Sequence, residues 1–114
     1  MKYVYIAGQY RAPTNTEIEL NCQKAWQHGC RVARLGGFPV IPQVNTYHMD
    51  GIQDDAFWLK GTMGLLERSD CLYLTGDWQK SEGAMGELKR AMEKGMPVFT
   101  HITALKEYLE QNDG

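Results

Sequence analysis

The chain of 114 residues has few cysteines, few histidines, few prolines and no long apolar run, and neither sign of charge dominates. Each shortage excludes something. No apolar stretch approaches the ~20 residues that a membrane helix needs, which argues against a membrane partner. The opening Lys2-Tyr3-Val4-Tyr5-Ile6 is too short and too β-like for a signal peptide, so a cytoplasmic protein is expected. Twelve lysines and arginines against fourteen acidic residues give a net charge of −2, without a basic patch, so nucleic acid is not an expected partner. Cys22, Cys30 and Cys71 are an odd count without metal-type spacing and read as reduced, semi-buried thiols. The three histidines are scattered, and no metal site is expected. Repeats and low-complexity stretches are missing too. What remains is an ordinary globular composition, 43% hydrophobic and 23% charged, long enough for one core and therefore for a single domain over 1–114.

Strand and helix signals alternate along that length. Tyr3 to Ala7 is a β-rich run closed by Gly8. A polar loop with Pro13 and Asn15 follows, and Thr14 or Thr16 caps a long helix. Its inward face is read as Ile18, Cys22, Ala25, Trp26, Gly29, Val32 and Ala33, with His28 at the surface and Gly36-Gly37 as the stop. Phe38 to Ile41 is a second strand, and Pro39 and Pro42 place it near an edge. Gln43 to Asp54 is irregular and long for a compact domain. A helix from about Asp55 to Arg68, a strand from Cys71 to Leu74 and a loop from Thr75 to Lys80 come next. Ser81 then caps a helix that ends at Lys94-Gly95. Pro97-Val98-Phe99 is a fourth strand, and a last helix, capped by Thr103, runs to about Gln111; His101 is a surface or cap residue. The expected fold is α/β: a doubly wound parallel sheet of four to five strands, Rossmann- or flavodoxin-like, with helices on both faces. Ligands of such sheets bind beyond the carboxyl ends of the strands, where Gly8–Asn15, Gln43–Asp54 and Thr75–Ser81 would meet.

Those loops hold most of the unusual residues. Gly8 permits close backbone approach, Gln9 and Tyr10 follow it, and Arg11 offers a planar fork for phosphate or carboxylate; the alternative is a plain surface arginine beside a loop tyrosine. Asp77 precedes Ser81-Glu82-Gly83, where free N–H groups at a helix start can hold an anion, although Ser81 has an ordinary role as a cap. Glu87 lies three residues after Ala84 and four before Ala91, beside the inward stripe, with Gly83 and Gly86 clearing space around it. Such a carboxylate either stabilises a cationic sugar carbon or is a buried acid paired with a lysine or a tyrosine hydroxyl. In the middle loop, Tyr47 and His48, with Trp58 nearby, either wall a base-sized pocket or pack the helix against the sheet; packing is the favoured role for Trp58.

The opening strand with Gly8-Gln9-Tyr10-Arg11, and Gly76-x-Trp78-x-x-Ser81-x-Gly83-x-x-x-Glu87 after a strand, resemble the nucleoside 2-deoxyribosyltransferase superfamily, which also contains 2′-deoxynucleoside 5′-phosphate N-hydrolases and small uncharacterised phage and bacterial relatives. The likeness runs from about Tyr3 to Phe99. It implies that Glu87 is the catalytic glutamate, that Ser81 and Gly83 hold the 5′ group, and that Gly8 and Arg11 contact base and phosphate. The substrate would be a small nucleoside or nucleoside 5′-monophosphate, with no metal or organic cofactor, in a homodimer or higher homo-oligomer. One position departs. The aspartate usual on the helix before the third strand falls near Thr62, and Asp54, Asp55 and Asp77 are its possible substitutes. The alternative function is a protein that binds a nucleotide, or a signal derived from one, without cutting it. The tail Gln111-Asn112-Asp113-Gly114 is short for reaching into a neighbouring subunit.

Overall fold

The computed structural model describes residues 1–112; Asp113 and Gly114 of the tail lie outside it. Four strands, β1 (Tyr3–Ala7), β2 (Phe38–Val40), β3 (Cys71–Leu74) and β4 (Val98–Phe99), form one sheet in the order β2-β1-β3-β4. Every pairing is parallel, with Tyr5 opposite Val40 on one side and Leu72 on the other. The expected doubly wound sheet is therefore present, and it has four strands. The proline-bearing β2 is an edge, as Pro39 and Pro42 foretell. Strand order reverses between β1 and β3, so the crevice for a ligand opens above the ends of those two strands.

The period of two along β1 and β3 divides the core. Val4, Ile6, Cys71 and Tyr73 face α1 (Asn15–Arg34) and α5 (Ile102–Gln111), packing on Val32, Leu105 and Leu109. Tyr5, Ala7, Leu72 and Leu74 face α3 (Asp55–Glu67) and α4 (Glu82–Glu93), packing on Leu66, Ala84 and Ala91. Between β2 and α3 the irregular stretch contains a single turn of helix, α2 (Pro42–Asn45), started by Pro42.

Local chemistry fixes the helix ends. Thr14, not Thr16, caps α1 by accepting from the Glu17 N–H at 3.2 Å, and Gly36 at φ +91° stops it. Asp54 caps α3 through the Phe57 N–H at 2.9 Å. The cap of the last helix lies two residues earlier than the expected Thr103: Ile102, Leu105 and Leu109 form the inward stripe, so extended His101 stands at the cap and Thr103 is exposed.

Two inward placements and one outward placement on α1 are corrected by the structure. On α1 the buried positions are Cys22, Ala25, Gly29 and Val32, whereas Trp26 is 57% exposed and Ala33 faces solvent. The cause is Gly29, where a Cβ would lie 2.4 Å from Ile41 Cδ1; the helix rests on β2 at that point, and Trp26 rotates off the contact line. His28, read as a surface residue, is half-buried, its ring 6.0 Å from that of Tyr73 and perpendicular to it. The cysteines are unpaired, Cys22 and Cys71 buried and Cys30 half-buried, and burial pushes the Cys71 thiol up to about 12. No helix among the described residues is long and apolar enough to cross a membrane.

Candidate active site

Glu87 lies in the second turn of α4, where the α3–α4 face of the sheet brings it against β1. The phenol of Tyr5 donates to its carboxylate from beneath. Tyr5 is wholly buried in the middle of β1, so its hydroxyl has little freedom and holds the carboxylate in one place. Burial pushes Glu87 up to about 7, opposed by the Tyr5 hydrogen bond. Tyr5 is pushed far above its ordinary value, first by burial and then by the charge of Glu87, so it remains a donor at any working pH. The alternative drawn from the sequence, a Glu87 paired with a tyrosine hydroxyl, thus names its partner. Tyr5 itself was not singled out there, because a tyrosine within an apolar strand reads as core.

Thr62 of α3 adds a second hydroxyl. It faces the Tyr5 phenol and donates to the Leu59 carbonyl at 3.1 Å. The carboxylates that might have replaced an aspartate here are engaged elsewhere: Asp54 caps α3, Asp55 lies 3.6 Å from Arg11, and Asp77 lies 3.8 Å from Lys80. Beside Thr62 a groove of 260 Å³ runs between α2 and α3, walled by Phe57, Trp58, Thr46 and Asn45. Trp58 is half-buried and its indole N–H donates to Gln53 O at 3.1 Å, while Met63, Leu65 and Leu66 seat α3 on the sheet. The favoured packing role for Trp58 is therefore corrected: its ring lines the groove, edge-on to Phe57 at 5.1 Å.

The start of α4 lies about one and a half turns before Glu87. Ser81 Oγ accepts from the Ala84 N–H at 3.1 Å, a true N-cap. Gly83 is exposed, and a Cβ there would meet nothing nearer than Ser81 Oγ at 3.8 Å, so the space above it is open. Gly86 has a different role, since a Cβ there would touch Met63 Cε at 3.7 Å, an ordinary α3–α4 contact.

The remaining candidates lie around the crevice. Gly8 is required by the protein's own packing, for a Cβ would stand 2.7 Å from Thr75 Oγ1. Gly8, Gln9 and Asp77 line a separate cavity toward α1. Tyr10 is anchored by its carbonyl, which accepts from Asn21 Nδ2 at 3.1 Å. Arg11 is exposed and reaches the start of α3. Tyr47 donates to Glu19 of α1, a bond that pushes its phenol up to about 12, and its ring lies 3.9 Å from that of His48. His48 has φ +60°, the left-handed region, and is exposed. Among the described residues no group of histidine, cysteine or acidic side chains could hold a metal ion.

No protein-family model matches this chain, and no curated protein does. A solved structure does: the 2-deoxyribosyltransferase from the psychrotolerant bacterium Bacillus psychrosaccharolyticus superimposes with a TM-score of 0.62 over 84% of this chain and 69% of that one, at 21% sequence identity. The chain therefore has the nucleoside 2-deoxyribosyltransferase-like fold.

Proposed function

We propose that the chain cleaves or transfers the N-glycosidic bond of a nucleoside or nucleoside 5′-monophosphate, with Glu87 at the anomeric carbon. The observation that carries this reading is the Glu87 carboxylate, fixed by Tyr5 and raised toward neutrality by burial, with Thr62 of the aromatic-walled groove facing the same Tyr5 phenol. In this reading the sugar lies over Tyr5, Glu87 and Thr62, the base enters the groove beside Trp58, and the 5′ group meets Ser81 and Gly83. Gly8, Gln9, Tyr10, Arg11 and Asp77 border the substrate from the crevice, and Tyr47 and His48 close the middle loop over it.

The chemistry follows from charge. As the C1′–N bond breaks, its electron pair leaves with the base, which takes up a proton, and positive charge develops on C1′ and the ring oxygen. An ionised Glu87 stabilises that charge or forms a bond to C1′, and water or a second base then displaces it. Such a reaction needs neither metal nor organic cofactor. The chain would work as a single domain in a homo-oligomer.

Thr62 favours a second reading, a pocket that binds a nucleotide without cutting it, because a hydroxyl cannot do a carboxylate's work at that position. One experiment separates the two. The protein and Glu87→Gln are incubated with nucleosides, 5′-monophosphates and NAD-type dinucleotides, and released base is followed by chromatography alongside melting temperature. Base release by the native chain alone supports cleavage; intact ligands that raise the melting temperature support binding; neither result removes both.

A further inference from the structure

We propose that the groove between α2 and α3 takes a base that already carries a positive charge, so that the substrate is a nucleoside or nucleoside 5′-monophosphate of a quaternised aromatic base. The proposal rests on the glycosidic reading and narrows it to one class of leaving group.

The groove presents lone pairs and aromatic faces, while most of its hydrogen-bond donors are spent on the protein itself. The Thr62 hydroxyl donates to the Leu59 carbonyl, the Thr46 hydroxyl to the Pro42 carbonyl and the Trp58 indole N–H to the Gln53 carbonyl, each at 3.1 Å. Both hydroxyl oxygens keep lone pairs that point to no donor of their own. The faces of Phe57 and Trp58 are the negative poles of their ring quadrupoles, and a cation within about 6 Å of such a face is attracted to it. The positive end of α3 beside them is capped by the Asp54 carboxylate. Among the described residues, those that line the groove include no ionisable side chain that would repel a cation. Asn45, also in the lining, offers an amide to a carbonyl substituent on the ring. At 260 Å³ the groove falls just short of the roughly 300–1,000 Å³ of sites for drug-sized ligands, which suits a base and not a whole nucleotide.

The same lining decides how the base departs. A neutral base must take up a proton as the C1′–N bond breaks, and the groove has no acid to give one. Glu87 must be ionised to meet C1′, so it cannot donate at the same moment. The Tyr5 phenol is pushed far above its ordinary value and is too weak an acid. His48 is exposed and lies against Tyr47, which is tied to Glu19 of α1, outside the groove lining. A quaternised base needs no acid. The electron pair of the C1′–N bond returns to the ring, cancels its charge, and the base leaves neutral. Water then adds to C1′ and releases one proton, which balances the charge lost from the base. Aromatic walls and a single carboxylate are sufficient for that reaction.

The test follows base release by the full chain from 7-methylguanosine against guanosine and from nicotinamide riboside against uridine. Each is supplied as ribo- and 2′-deoxynucleoside, with and without a 5′-phosphate, and spontaneous hydrolysis is subtracted. The expected kcat/KM is at least a hundredfold higher for the cationic member of a pair and is lost in Glu87→Gln. Binding is read separately from the Gly61 and Thr62 amide signals of the ¹⁵N-labelled chain. 1-Methylnicotinamide, a cation that cannot be cleaved, should bind at least tenfold more tightly than neutral nicotinamide. Trp58→Leu, or Phe57→Leu at an exposed position, should narrow that preference about fivefold. Glu87-dependent release from neutral nucleosides at equal or higher kcat/KM overturns this proposal and leaves the glycosidic reading standing. Equal binding of the two nicotinamides, or a preference untouched by both variants, likewise overturns it alone. No release from any member of the panel removes the glycosidic reading and this proposal with it.

Discussion

Replacing Glu87 by glutamine should stabilise the protein at alkaline pH and leave it unchanged in acid. Glu87 has an ordinary value of 4.5 and stands at about 7 in the fold. At roughly 1.4 kcal/mol per tenfold change in proton affinity, that gap corresponds to about 3 kcal/mol. The sign follows from proton binding. Between pH 4.5 and 7 the folded chain holds a proton on Glu87 that the unfolded chain has lost, so stability falls as pH rises through this window. Below it both states are protonated; above it both are ionised and the fold must hold a half-buried anion. Glutamine keeps the shape and the acceptor for Tyr5 but carries no titrating proton. Urea unfolding at pH 4 should therefore give equal midpoints for the two proteins. At pH 8 the variant should unfold about 2 M later, taking a typical slope of roughly 1.5 kcal/mol per M. The variant with the same midpoint as the native chain at pH 8 would show that Glu87 is solvated and not strained by burial, and the case for a functional carboxylate would lose its physical basis.

Other residues give sharper local tests. Tyr5→Phe removes the hydrogen bond that opposes burial, so the acid limb of the pH–activity profile should move upward and stability at pH 8 should fall by about 1–3 kcal/mol; an unmoved limb contradicts the role given to Tyr5. Gly8→Ala puts a methyl 2.7 Å from Thr75 Oγ1 and 3.1 Å from the Thr75 carbonyl oxygen, which should cost about 1–3 kcal/mol in chemical unfolding and be partly relieved by Thr75→Ala. Ser81→Ala should cost about 1 kcal/mol and Ser81→Gly only a few tenths. If Ser81 also holds the 5′ group, the glycine variant will keep its stability and raise KM for 5′-monophosphates.

The alternation of strands and helices was legible because short-range chemistry carries it: glycines at the helix stops, prolines at the edge strand, and apolar residues at intervals of three and four. Glu87 was legible for the same reason, as an acid displaced toward a helix's inward face. Its partner was not. Tyr5 and Glu87 are 82 residues apart, and nothing local in β1 distinguishes a tyrosine that donates a hydrogen bond from one that only fills space. The α1 face was half legible. Its stripe was seen, but two rotations about the helix axis fit the pattern, and the choice depends on Gly29 meeting Ile41, a contact with another element. His28 had a usable signal, three residues after Ala25 and four before Val32, the same offset that drew attention to Glu87. The division of the crevice residues between two cavities on opposite faces is a tertiary fact, and the loop sequences contain no trace of it.

The most direct measurement is the rate of base release from a panel of nucleosides and 5′-monophosphates by the native chain and by Glu87→Gln at pH 8, where the carboxylate is ionised and both proteins are folded. A carboxylate acting on the anomeric carbon predicts release by the native chain and a loss of at least about a hundredfold in the variant, roughly 3 kcal/mol of transition-state stabilisation. Equal rates in the two proteins would contradict a catalytic Glu87.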